Sequence, residues 1–140
     1  MIQAIRGLQW LSRLVGACEL TLGLVIWFVG VSSVKVHIGL GIAVTLMLVI
    51  ISVIGLTLKE TRLLGVVGIV YACILPVFGF VQLGLLMGSL HWLVQLLHLI
   101  IGVGSIGVIH LIGGRYLSVR QPIPQAAPEQ AAVPPVQARS

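Results

Sequence analysis

Residues 38–58 read IGLGIAVTLMLVIISVIGLTL, an unbroken apolar run without a charge. A hydrocarbon core about 30 Å thick is crossed by about 20 residues of α-helix, so this run predicts a transmembrane helix. Three more runs flank it, giving spans at Leu14–Val31, Ile38–Leu58, Leu63–Met87 and Trp92–Ile112. Only the short polar breaks SSVK, KETR and GS separate them. Connections of this length favour antiparallel neighbours, and the fold class predicted is all-α membrane, an antiparallel four-transmembrane-helix bundle. The runs are continuously apolar and lack the alternation of a lipid-facing strand, which excludes a barrel.

Composition agrees. The 140 residues are 59% hydrophobic and only 8% charged, with a mean hydropathy of +1.18, far from soluble globular domains. Arg6 and Arg13 precede the first span, Lys59 and Arg62 lie between the second and third, and Arg115, Arg120 and Arg139 follow the fourth. The opposite side has only Lys35. This split predicts both termini in the cytoplasm, N-in and C-in. The net charge of +5 therefore reports topology and attraction to anionic headgroups, not nucleic-acid binding. Trp10, Trp92 and Tyr116 fall near the expected interfaces, where amphipathic rings concentrate. The first span contains Glu19, lacks an A-x-A site and leads directly into a second span, so it is read as retained rather than cleaved. Cys18 and Cys73 lie inside spans at depths about 9 Å apart, too far for a disulfide, and are read as buried free thiols.

Residues 1–120 are thus read as one transmembrane domain. Residues 121–140, QPIPQAAPEQAAVPPVQARS, hold all but one of the six prolines and predict a disordered cytoplasmic tail.

Chemistry concentrates in the polar residues that the spans retain. Gly16, Gly23 and Gly30 recur every seven residues and form a stripe along which another helix can approach, with Glu19 beside it. Pro76, with Gly79 a turn later, predicts a kink in the third span. Three of the four histidines fall in HWLVQLLHLIIGVGSIGVIH, residues 91–110. An ionisable ring in hydrocarbon faces protein and marks a candidate site. His91, Gln95, His98 and Gly102 share one face at about 100° per residue, whereas His110 is rotated by about 120° and lies near the inner end. His37 enters the second span from the same outer side, and Gln82 reaches a similar level late in the third. His37, Gln82, His91, Gln95 and His98 therefore predict one polar layer in the outer half.

Two imidazoles from different helices suit the axial positions of haem iron in a helix bundle. Both HIGLG (37–41) and HLIIG (98–102) place glycine four residues after histidine, so Gly41 and Gly102 are expected to make room for the macrocycle. His37 and His98 differ in expected depth by about 7 Å. His37 with His91 matches better in depth but lacks the second glycine. On these residues the chain loosely resembles bis-histidine b-type membrane cytochromes. It resembles more closely small uncharacterised bacterial four-helix membrane proteins with H-x-x-x-G on the second helix and GSLHWLVQLLH opening the fourth. The cytochrome resemblance spans about residues 14–113 and implies a bacterial cytoplasmic (inner) membrane location, haem b and electron exchange with quinone. On it, His37 and His98 are axial ligands, while His91 and Gln95 orient a propionate or quinol. A second haem has no ligand pair, because the inner half offers only His110, for which Glu19 is the expected partner.

Two other readings stand beside haem. The nearby imidazoles could bind copper or zinc without it. Alternatively the chain is a non-enzymatic membrane subunit or assembly factor that docks on a larger complex, or on a second copy, through its glycine seams. No Ser-His-Asp set, phosphate loop or Cys-x-x-Cys motif is present, so hydrolytic and transferase chemistry has no visible machinery.

Overall fold

A computed structural model describes residues 1–121 apart from Val31 and Met87. The span ends expected at those two residues, and the tail beyond Gln121, lie outside the described residues. The chain forms α1 (Ile2–Val29), α2 (Val34–Leu56), α3 (Arg62–Val81) and α4 (His91–Arg120), with a 3-10 turn at Gln82–Gly84 after α3. All four helices are long and apolar enough to cross a membrane, and no strand occurs among the described residues.

Side-chain register fixes the directions. Gln9 reaches the His110 carbonyl and Gly16 faces Ile106, so α1 and α4 are antiparallel. Gly23 faces His37, while Gly41 faces Glu19, and α2 runs against α1. Likewise Gly55 lies against Gly65, and the Tyr71 hydroxyl donates to the Ile101 carbonyl at 2.9 Å. Every sequential pair, and the pair α1–α4, is antiparallel. Of the diagonal pairs, α2 and α4 touch whereas α1 and α3 do not, among the described residues. The bundle is therefore a lozenge in cross-section, with α2 and α4 across its short diagonal.

The two ends are packed differently. Ile5, Leu48, Ile51, Ile109, Ile112 and Tyr116 form the centre of a buried cluster at the end that carries the start of α1, the end of α4 and the α2–α3 turn. Close approach there depends on Gly55, Gly65 and Gly68, where an added Cβ would collide with the facing helix. Buried hydroxyls are satisfied locally: Ser52 donates to the Leu48 carbonyl, Thr61 to Gly55 and Ser105 to Gly102. Such bonds remove the cost of an unpaired polar group where no water is at hand. Toward the opposite end Val94 is the one fully buried apolar residue of α4's first two turns, and the helices part around a cavity.

Several expectations need correction. The first helix begins at Ile2 rather than near Leu14 and extends about 42 Å at 1.5 Å per residue. Its added turns cover Tyr116, which is buried at 1% exposure instead of sitting at an interface; Trp10 and Trp92 are exposed. Gly30 belongs to no seam. It caps α1 in the left-handed region at φ 73°, its N–H bonded to the Ile26 carbonyl, where only glycine is free of a Cβ penalty. Cys18 and Cys73 are exposed on the helix surfaces, not buried. Pro76 stands inside α3, which continues to Val81 before tightening into the 3-10 turn.

Candidate functional site: a cavity lined by histidines

A cavity of about 630 Å³ opens between α1, α2 and α4. Along α1 it runs from Arg13 to Trp27, about 21 Å at the helical rise. Its wall includes every residue that the sequence marked: His37, Gly41, Gln82, His91, Gln95, His98 and Gly102, with Glu19 and His110. The remaining wall is mostly aliphatic. Its volume falls within the range of about 300–1,000 Å³ typical of small-molecule and cofactor pockets.

At its centre two imidazoles meet. The rings of His37 and His98 have centroids 6.0 Å apart and planes inclined by 57°. The expected difference in depth does not keep them apart: the register of α4 against α2 sets His98, at the end of the second turn of α4, beside His37 in the first turn of α2. Phe78 stacks on His98 at 6.1 Å and 16°, which fixes that ring from the α3 side. In both rings Nδ1 is buried and without a hydrogen-bond partner. A buried, unpartnered polar atom costs free energy and calls for an explanation.

The glycines on α1 and α2 explain how His37 reaches its position. A Cβ at Gly23 would lie 3.2 Å from His37 Cε1, and a Cβ at Gly41 would lie 2.9 Å from Glu19 Oε1. The contacts are reciprocal. In ELTLG (19–23) and HIGLG (37–41) an ionisable residue is followed four positions later by glycine, and on antiparallel helices each glycine receives the other's side chain. Glu19 Oε1 thereby stands 4.0 Å from His37 Nε2.

Two site expectations are revised by this geometry. The space beside Gly41 holds the Glu19 carboxyl, so its glycine does not report room for a macrocycle. Gly102 differs: a Cβ there would meet nothing within 4 Å. The expected pairing of Glu19 with His110 is not made. The α1–α4 register sets Arg13 opposite His110, with Arg13 Nε donating to His110 Nε2 at 3.1 Å, while Glu19, two turns farther along, faces α2. His91 lies at the cavity mouth with Nδ1 3.2 Å from the Leu85 carbonyl, tying α4 to the preceding connection. Sequence reading missed the Glu19–His37 contact, although the equal spacing of ELTLG and HIGLG was its signal.

Metal ions and haem ask for different donor sets. Zinc and copper sites draw three or four donors from protein, and among the described residues no three His, Cys, Asp or Glu side chains stand close enough to hold an ion. Haem iron takes four nitrogens from its own macrocycle and asks the protein for two at most. His37 and His98, with ring centroids 6.0 Å apart and a buried Nδ1 on each that no protein group satisfies, would supply two such donors.

Comparison with protein-family models, with curated proteins and with solved structures returned no match. The site's own geometry carries the functional argument.

Proposed function

We propose that the chain is a multi-pass protein of the bacterial inner membrane, termini inward, that holds one b-type haem between His37 and His98 and exchanges electrons with the quinone pool. Membrane residence is supported by the outward-facing apolar surface: Leu46, Ile50, Val53, Val66, Val70 and Phe80 are all more than 45% exposed, which lipid tolerates and water does not. Orientation rests on the distribution of basic residues.

The observation that carries the haem assignment is the convergence of two imidazoles, each with an unpartnered nitrogen, in one cavity of cofactor size. His37 and His98 would hold the haem iron, Phe78 would keep the second ring in place, and Gly102 would leave open the space beside it. A bound haem supplies a one-electron iron couple. Gln82, His91 and Gln95 offer hydrogen bonds at the outer mouth to a propionate or quinol, and the remaining wall offers mostly aliphatic surface to a macrocycle. A docking subunit is supported less well, since Gly16 and Gly23 of the first seam are taken up by Ile106 and His37 of the same chain.

The visible spectrum of protein purified in detergent from haem-replete cells tests the assignment. A Soret band with sharp α and β bands on reduction is expected. A colourless, folded chain rejects haem and turns attention to co-purifying membrane proteins.

A further inference from the structure

The role of Glu19 goes beyond the two-ligand proposal and rests on it in part. We infer that Glu19 is a positioning residue for His37: its carboxyl accepts the Nε2–H of the ring and leaves Nδ1 as the nitrogen available to a group bound in the cavity.

Four observations lead there. The ring nitrogen that faces Glu19 is Nε2, 4.0 Å from Oε1, within ion-pair distance. The carboxyl has no other protein partner at ion-pair distance among the described residues. Glycine at position 41 leaves the carboxyl its place, where a Cβ would lie 2.9 Å from Oε1, and glycine at position 23 does the same for the ring, where a Cβ would lie 3.2 Å from Cε1. Finally, His37 Nδ1 is buried and unpartnered. A neutral imidazole carries one N–H and one lone pair, so a partner that accepts at Nε2 selects the tautomer whose lone pair is on Nδ1. Metal-bound histidines commonly donate their second nitrogen to a carboxylate in this manner, which fixes ring orientation and raises ligand basicity. Along α1, Thr21 donates to the Ala17 carbonyl and Arg13 is bonded to His110, so neither competes for the carboxyl.

Solid-state NMR of the full chain in bilayers, with ¹³C at glutamate carboxyls and ¹⁵N in histidine rings, reads the contact directly. A dipolar coupling between Glu19 Cδ and His37 Nε2, with the proton on Nε2, is expected, and Glu19→Leu should abolish it. Its absence, or a proton on Nδ1, overturns the inference whatever the protein's colour. For the haem-loaded protein, Glu19→Leu should weaken haem retention about 10- to 100-fold, the usual cost of losing such a partner. Glu19→Gln keeps an oxygen that accepts N–H and should restore most of it. Equal retention in wild type and Glu19→Leu overturns the role. A colourless wild type that still shows the coupling rejects haem alone, and the contact and tautomer then support the positioning of His37.

Discussion

Alanine at position 37 or at position 98 is expected to remove the visible absorbance of the purified protein while leaving its helix content unchanged. Each substitution deletes one of the two nitrogens that the chain brings to the cavity centre, and no other histidine stands ready to replace it. His91 is held at the mouth by the Leu85 carbonyl, and His110 is bonded to Arg13 at the far end of the cavity. Removing a partner of a metal ligand already costs about 10- to 100-fold, so losing the ligand itself should exceed 100-fold in retained haem. Both rings line open space rather than the packed end, and Gly16–Ile106 and Gly55–Gly65 contacts persist without them. The haem content per chain, set beside circular dichroism, checks this. Full colour in either variant would exclude that residue as a ligand.

The second large effect concerns packing. Gly65→Ala should destabilise the folded bundle by about 1–3 kcal/mol, at the upper end of that range. The new Cβ would lie 2.7 Å from the Ser52 carbonyl oxygen and 2.9 Å from the Leu56 nitrogen. Both are backbone atoms, so relief requires α2 and α3 to move apart rather than a side chain to turn. The movement would reach Gly68, whose place for a Cβ is filled by Ser52 Oγ. Gly107→Ala is the control. Nothing lies within 4 Å of a Cβ there, and alanine favours a helix over glycine by about 1 kcal/mol. Thermal or denaturant unfolding in detergent should therefore separate the two variants in opposite directions. Equal stability would show that the α2–α3 seam is looser than these distances require.

How much of this was legible in the sequence differs by element. The helix α2 (Val34–Leu56) lies close to the apolar run at 38–58, because hydrophobic length is a local property that no tertiary contact overrides. The start of α1 was not legible. Arg6 and Arg13 break the apolar run without breaking the helix, since a helix can extend beyond the hydrocarbon and carry its charges there. That extension also places Ile5 in the same buried cluster as Tyr116, an association that no local pattern records.

The site was legible as a membership list rather than as a set of partners. All the marked residues line one cavity, because a titratable side chain on an apolar helix avoids hydrocarbon by turning inward. Who meets whom depends on register between helices, which no pattern within one helix records. The H-x-x-x-G spacing at 37–41 was read as space for a ligand, whereas the matching E-x-x-x-G at 19–23 shows it to be one half of a reciprocal contact.

The central claim is that His37 and His98 jointly hold one haem. Electron paramagnetic resonance together with near-infrared magnetic circular dichroism of the ferric protein in lipid nanodiscs reports axial ligation most directly. One low-spin iron per chain with two imidazole ligands is expected, a signature absent from both alanine variants. A high-spin or single-histidine iron, or a folded chain that takes up no haem when it is supplied, would contradict it.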